Sequence, residues 1–145
     1  MSPLVRRYLK SAVLFLVTGL ALGVWMLVSR EFGAWQPLRL RSAHTHALLV
    51  GFVMMMISGV ALWMFPRVPA DDTRYRPAIA EAAWWCLAPG TALRVALELT
   101  LPPEASVAMR VLLVAAGIAQ VLGLLLFFWT MWPRIRASGA ASGGR

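Results

Sequence analysis

Long apolar runs alternate with short polar segments along this chain. Residues 11–29, 42–66 and 111–133 contain no Asp, Glu, Lys or Arg. Each run is long enough to cross the hydrocarbon core of a bilayer, which takes about 20 residues of helix. A fourth segment, residues 78–99, is mostly apolar but carries Glu81, Arg94 and Glu98, and we expect it to be a weaker span.

The pattern predicts an all-α fold, an integral membrane four-helix antiparallel bundle, because short connections join neighbouring helices head to tail. We expect spans at about residues 10–29, 42–66, 78–99 and 107–133, within a single membrane domain that covers residues 1–145. Residues 137–145, rich in Gly, Ser and Ala, are typical of a flexible tail. The single Cys86 excludes an intramolecular disulfide and a multi-cysteine metal site.

The net charge of +8 indicates membrane orientation rather than binding to nucleic acid. Basic residues collect on the cytoplasmic side of membrane spans. With four spans, nine basic residues share the side of the termini, and five lie on the other side. We therefore expect a multi-pass protein of a bacterial inner membrane, with both termini in the cytoplasm and the lipid bilayer as its first partner. The inner residues are Arg6, Arg7, Lys10, Arg67, Arg74, Arg76, Arg134, Arg136 and Arg145.

Three local features predict details of the helices. Ser42 is a plausible N-cap for the second helix. Gly19 and Gly23 have the spacing that lets helices approach closely, and we favour packing within the chain. Arg94 and Glu98 are spaced to pair on one helix face, with the arginine free to reach the interface.

The only two histidines, His44 and His46, lie at the mouth of the second apolar run. Two residues on a helix are about 200° apart, so the side chains point to nearly opposite sides and cannot ligate one ion together. A haem fits better, because its two axial ligands come from different elements. Arg39 and Arg41 precede the helix at the depth where haem propionates would lie. The alternative is that these residues only solvate a helix end.

The stretch RLRSAHTHALLVGF, continuing to ISGVALWMFPR, resembles the second transmembrane helix of haem-copper oxidase subunit I. The similarity is greatest to the cbb3-type oxidases and the nitric oxide reductases. Their Arg-x-x-His-Thr opening falls on Arg41, His44 and Thr45. The resemblance implies that His44 is an axial ligand of a low-spin haem, with His46 as the second choice. His46 departs from the family pattern, which often has asparagine there.

The resemblance also implies what this chain lacks. Members of the superfamily have twelve or more spans, and their copper ligands and second haem ligand lie on later helices. This chain has no later histidine. We therefore expect a truncated four-helix relative of the N-terminal part of the family, one that binds haem and is not an enzyme.

The second axial ligand has two candidate sources. Met26 or Met109 lies at a suitable depth to supply a thioether. Alternatively, two His44 side chains could share one haem b across a two-fold homodimer, the commonest oligomer. We favour the shared haem, because histidine is the stronger ligand for ferric haem. Met54, Met55 and Met56 lie too deep in the membrane, and we interpret them as packing.

These observations favour a small membrane b-type cytochrome that transfers electrons to or from a respiratory-chain partner. One alternative is a protein that binds or senses nitric oxide or oxygen through a five-coordinate haem on His44. Another is a non-catalytic accessory or assembly subunit of a respiratory complex. No carboxylate dyad, nucleophile–base pair or glycine-rich phosphate loop indicates a catalytic site.

Overall fold

The computed structural model describes residues 1–65 and 77–135 of the 145-residue chain, and this part is entirely helical. Helix α1 spans Pro3–Phe32 and α2 spans Leu40–His46. A π-helical stretch, Ala47–Met54, here called the π segment, joins α2 to α3, Met55–Met64. Helix α4 spans Pro77–Thr100 and α5 spans Val107–Met131, which leads into a 3₁₀ turn at Trp132–Arg134. The expected tail at 137–145 lies outside the described residues.

Three helices of the described part are long and apolar enough to cross a membrane: Pro3–Phe32, Leu40–Met64 and Val107–Met131. Their mean hydropathy lies between 2.2 and 2.6. The second of them is one helix made of α2, the π segment and α3. The predictions of an all-α fold and of membrane-spanning helices are thus confirmed for these three. Helix α4 is as long as a span but is not among them, and it carries Glu81, Arg94 and Glu98.

Capping residues explain where the helices begin. The Ser2 hydroxyl accepts a hydrogen bond from Val5 N at 3.3 Å, and Pro3 follows as the first helical residue. Helix α1 therefore begins ahead of its apolar run and ends at Gly33, whose φ of 63° is left-handed. The Ser106 hydroxyl caps α5 in the same way, by accepting from Met109 N.

Helix α1 packs closely against the second helix because glycines remove side chains at the contact. Gly19 lies against Leu48, and Gly51 lies against Phe15. Gly23 lies against His44, so both glycines of the α1 pair pack within the chain, as predicted. The methionine run also packs as expected, since Met55 is buried and Met56 lies against the same core cluster.

Helix α4 packs along α5 and also contacts α2 and the π segment. At one end of the molecule, the Tyr8 hydroxyl donates to Ala80 O at 3.1 Å, and the Tyr8 ring lies 6.1 Å from that of Phe127. The beginnings of α1 and α4 therefore meet the end of α5. A second core cluster at the other end joins α1, α2 and α4 through Leu22, Leu40 and Val95.

Candidate haem-binding site

His44 lies on α2 and faces α1. Its Nδ1 atom is 2.8 Å from the carbonyl oxygen of Gly19. A Cβ atom at Gly23, one turn further along α1, would lie 3.0 Å from His44 Cε1. The imidazole ring thus lies against Gly23 and bonds to the carbonyl oxygen of Gly19.

The bond to Gly19 determines which ring nitrogen of His44 carries a proton. A carbonyl oxygen only accepts, so Nδ1 carries the hydrogen and donates it. Nε2 then keeps its lone pair, and none of the described residues donates a hydrogen bond to it. Metal-ligating histidines commonly donate their other ring N–H to a backbone carbonyl in this way. The ring therefore has the tautomer that an iron ligand requires.

His46 faces away from α1, towards α4. Its Nδ1 lies 2.8 Å from the Ser42 carbonyl oxygen and 3.6 Å from Glu98 Oε2. His44 contacts α1 while His46 contacts α4, so the prediction that the two side chains point to opposite sides is confirmed.

Ser42 does not cap the second helix, and that prediction was wrong. The helix begins at Leu40, because a turn in which Leu40 N bonds to Pro37 O precedes it. Ser42 lies inside the first turn, and its hydroxyl donates to Glu98 Oε1 at 2.8 Å. It joins α2 to α4.

A polar cluster continues from Glu98 into the helix pair α4–α5. Arg94 Nε donates to Glu98 Oε1 at 3.1 Å, which confirms the expected pair. Arg94 Nη1 donates to Gln120 Oε1 at 3.2 Å, and Gln120 Nε2 donates to Thr91 Oγ1 at 3.0 Å. Gln120 lies near the middle of α5, so the guanidinium is directed inward and does not extend to the interface as expected.

The two arginines before the second helix differ in their surroundings. Arg39 Nη1 is buried and has no hydrogen-bond partner, whereas Arg41 is exposed. A buried guanidinium N–H without an acceptor is costly, and an anion such as a propionate would satisfy it. Arg39 therefore fits the predicted role, and Arg41 is available at the surface.

The two candidate thioether ligands lie on different helices. Met26 follows Gly23 by three residues and packs against the cluster that contains Leu40 and Ala43 of α2. Met109 lies in the first turn of α5 and is 48% exposed, on a helix that packs against α4. The described residues contain no group of three or more His, Cys, Asp or Glu side chains placed to hold a metal ion.

A model of the family described as cytochrome c and quinol oxidase polypeptide I matches residues 3–142. The chain belongs to this family. The family assignment confirms the resemblance to haem-copper oxidase subunit I at the level of the superfamily. Neither the search of curated proteins nor the search of solved structures found a match. Members of the oxidase polypeptide I family bind haem, which makes the predicted cofactor plausible in this chain.

Sequence reasoning missed two residues of the polar cluster, Thr91 and Gln120. Gln120 is 3% exposed and lies in the most apolar of the three candidate spans. A buried amide in a span needs a partner, because hydrocarbon offers none. The presence of Gln120 in an apolar run was therefore a usable signal, and it predicts a polar contact between α5 and a neighbouring helix.

Proposed function

We propose that this chain is a small b-type haem protein of a bacterial inner membrane that transfers electrons, with His44 as an axial ligand. Its four helices form an antiparallel bundle in the membrane, and both termini lie in the cytoplasm. Within the superfamily it resembles the cbb3-type oxidases and nitric oxide reductases, whose Arg-x-x-His-Thr opening corresponds to Arg41, His44 and Thr45. The redox partner is a component of a respiratory chain.

The hydrogen bond from His44 Nδ1 to Gly19 O is the observation that carries this proposal. It fixes the tautomer and leaves Nε2 for iron. An imidazole that only solvated a helix end would have no need of a glycine face on the neighbouring helix. Membership of a haem-binding family adds independent support.

The residues of this chain hold and orient the cofactor. Arg39, with its buried and unpartnered Nη1, binds a propionate, and exposed Arg41 offers a second cation. Gly23 lets the His44 ring lie close to α1. Haem b, when bound, supplies one-electron redox chemistry. The apolar faces of the helices keep water away from it.

For the other axial position we propose His44 of a second copy, in a two-fold homodimer that shares one haem. Met26 is the alternative that the structure favours over Met109, because it lies on the α1 face turned towards α2. An open position would instead make the protein a gas-binding haem protein.

We also propose that this chain does not catalyse oxygen or nitric oxide reduction. Its only histidines are His44 and His46, which face different helices. They cannot together form the additional metal site that such catalysis requires.

Exchanging each histidine for alanine tests the proposal. The detergent-solubilised protein should contain b-type haem, and His44→Ala should lose nearly all of it, because the iron loses its ligand. His46→Ala is the matched control, with the same change two residues along, and it should keep its haem. The optical spectrum and the haem-to-chain ratio measure both effects.

Three outcomes would contradict this assignment. A His44→Ala protein with a normal Soret band would show that His44 is not the ligand. Loss of haem from His46→Ala alone would transfer that role to His46. Wild-type protein without haem, expressed with ample haem supply, would favour the accessory-subunit alternative.

A further inference from the structure

Ser42 and His46 lie on one face of α2, and His44 lies on the opposite face. Residues four apart on a helix are one turn apart, whereas residues two apart are separated by about 200°. Ser42 and His46 both reach Glu98 of α4, while His44 reaches Gly19 of α1. Any contact that fixes the face of α2 with Ser42 and His46 therefore also fixes the direction of the His44 side chain.

Glu98 makes this contact from a buried position. Its side chain is 4% exposed, and its Oε1 accepts from the Ser42 hydroxyl at 2.8 Å. Its Oε2 is buried without a hydrogen bond, 3.6 Å from His46 Nδ1. Such a carboxylate is costly unless its partners are held in place.

The carboxylate is itself held by α4 and α5. Arg94, one turn earlier on α4, donates to the same Oε1 atom. Arg94 also donates to Gln120 of α5, which in turn donates to Thr91. The cluster therefore connects α5, through α4, to the polar face of α2.

Helix α2 needs an anchor of this kind. It is only seven residues long and leads directly into the π segment. The π segment interrupts the regular α-helical hydrogen-bond ladder, so the orientation of α3 does not set that of α2 by the usual 100° per residue.

We propose that Glu98 is a positioning residue for the haem ligand: through Ser42 it fixes the rotation of α2 that turns His44 onto α1. The proposal rests on the proposed function, because it assumes that His44 ligates haem.

The first test removes the donor on α2 with Ser42→Ala. The His44 ring should become less well oriented, so haem should dissociate about tenfold faster, as for other residues that orient a metal ligand. The low-spin signal of the ferric protein in electron paramagnetic resonance should broaden or shift. Ser42→Thr keeps the hydroxyl and should restore both properties.

The second test removes the acceptor without leaving an unpaired charge. In the double variant Arg94→Leu/Glu98→Leu the ion pair is lost as a unit, a change that is often neutral or stabilising. Its thermal stability should equal or exceed that of the wild type, whereas its haem should dissociate as fast as from Ser42→Ala. A residue that only stabilised the fold would lower both together.

Ser11→Ala is the matched control. The Ser11 hydroxyl also joins two helices, by accepting from Trp84 Nε1 at 3.3 Å, but it lies on α1 and does not contact α2 through this bond. Its haem kinetics and resonance spectrum should match those of the wild type. Wild-type behaviour of Ser42→Ala and the double variant would overturn this proposal alone. A Ser11→Ala effect equal to that of Ser42→Ala would also overturn it. Wild-type protein without haem would overturn it together with the proposed function.

Discussion

His44 occupies a gap that only glycine leaves open on α1. A Cβ atom at position 23 would lie 3.0 Å from His44 Cε1 and 3.4 Å from Nδ1. The ring would have to move by a few tenths of an ångström, which would disturb its bond to the Gly19 carbonyl. Because that carbonyl fixes the tautomer of His44, a side chain at position 23 would affect how His44 presents Nε2 as a ligand.

Gly23→Ala should therefore weaken haem binding. Weakening of the Nδ1 bond costs up to about 1 kcal/mol, which corresponds to up to about fivefold in the haem dissociation constant. Titration of the apoprotein with haem measures this. Alanine is a better helix former than glycine, so a weaker helix cannot account for the loss. Leu20→Ala, on the exposed side of α1, should bind haem normally. Unchanged affinity in Gly23→Ala would show that the ring does not bind from its observed position.

The direction of a side chain could be predicted from the sequence where helix geometry alone determines it. The opposite directions of His44 and His46 follow from their spacing. The roles of Ser42 and Gln120 do not, because each depends on which helix lies beside it. Serine is a common N-cap residue. Here, however, the turn at Pro37 starts the helix before Ser42, so the Ser42 hydroxyl is free to donate to Glu98.

At the scale of the elements, the packing of α4 against α5 depends on a close approach between their backbones. A Cβ atom at Gly123 would lie 2.7 Å from Leu87 Cγ and 3.0 Å from two backbone atoms, Ala83 O and Leu87 N. Backbone atoms cannot move aside as a flexible side chain can. This glycine therefore determines how near the two helices lie.

Gly123→Val should separate α4 from α5 and destabilise the protein by about 1–3 kcal/mol, the usual cost of overpacking. A lower midpoint of thermal unfolding in detergent measures the effect. Ala115→Val introduces the same side chain at an exposed position on α5 and should unfold like the wild type. Equal midpoints for all three proteins would mean that α4 and α5 do not pack in this way.

The apolar runs predicted the long helices well, because about twenty consecutive residues without charge are stable mainly as a membrane-spanning helix. Their ends were less predictable. The cap at Ser2 extends α1 through Arg6, Arg7 and Lys10, beyond its apolar run. Nothing in the residues Ala47–Met54 distinguishes a π segment from an α-helix, since the difference lies in the backbone hydrogen bonds.

At the scale of the whole molecule, orientation in the membrane can be tested. The Tyr8–Ala80 contact places the beginnings of α1 and α4 together. Nine basic residues against five favour the cytoplasm for that side. A fluorescent protein at the C-terminus should therefore fluoresce, and alkaline phosphatase there should be inactive. The reverse result would mean that α4, the charged helix, does not cross.

The number of haems per chain tests the assembly. A haem shared across a two-fold axis gives half a mole per mole of chain, a low-spin spectrum in both oxidation states and poor binding of carbon monoxide. Ligation by Met26 gives one haem per chain and a raised midpoint potential. One haem per chain with ready carbon monoxide binding would exclude the shared haem and support a gas-binding protein.

The π segment joins the two parts of the second helix with a smaller turn per residue than an α-helix, so its eight residues set the angle between those parts. Removing one residue between Ala47 and Met54 would change the angle between Leu40–His46 and Met55–Met64. His44 could then face Gly23 only if Gly59 left its contact with Leu9. The chain length of this stretch is thus part of the ligand geometry, and a single-codon deletion there would redirect His44 without altering a residue that it touches.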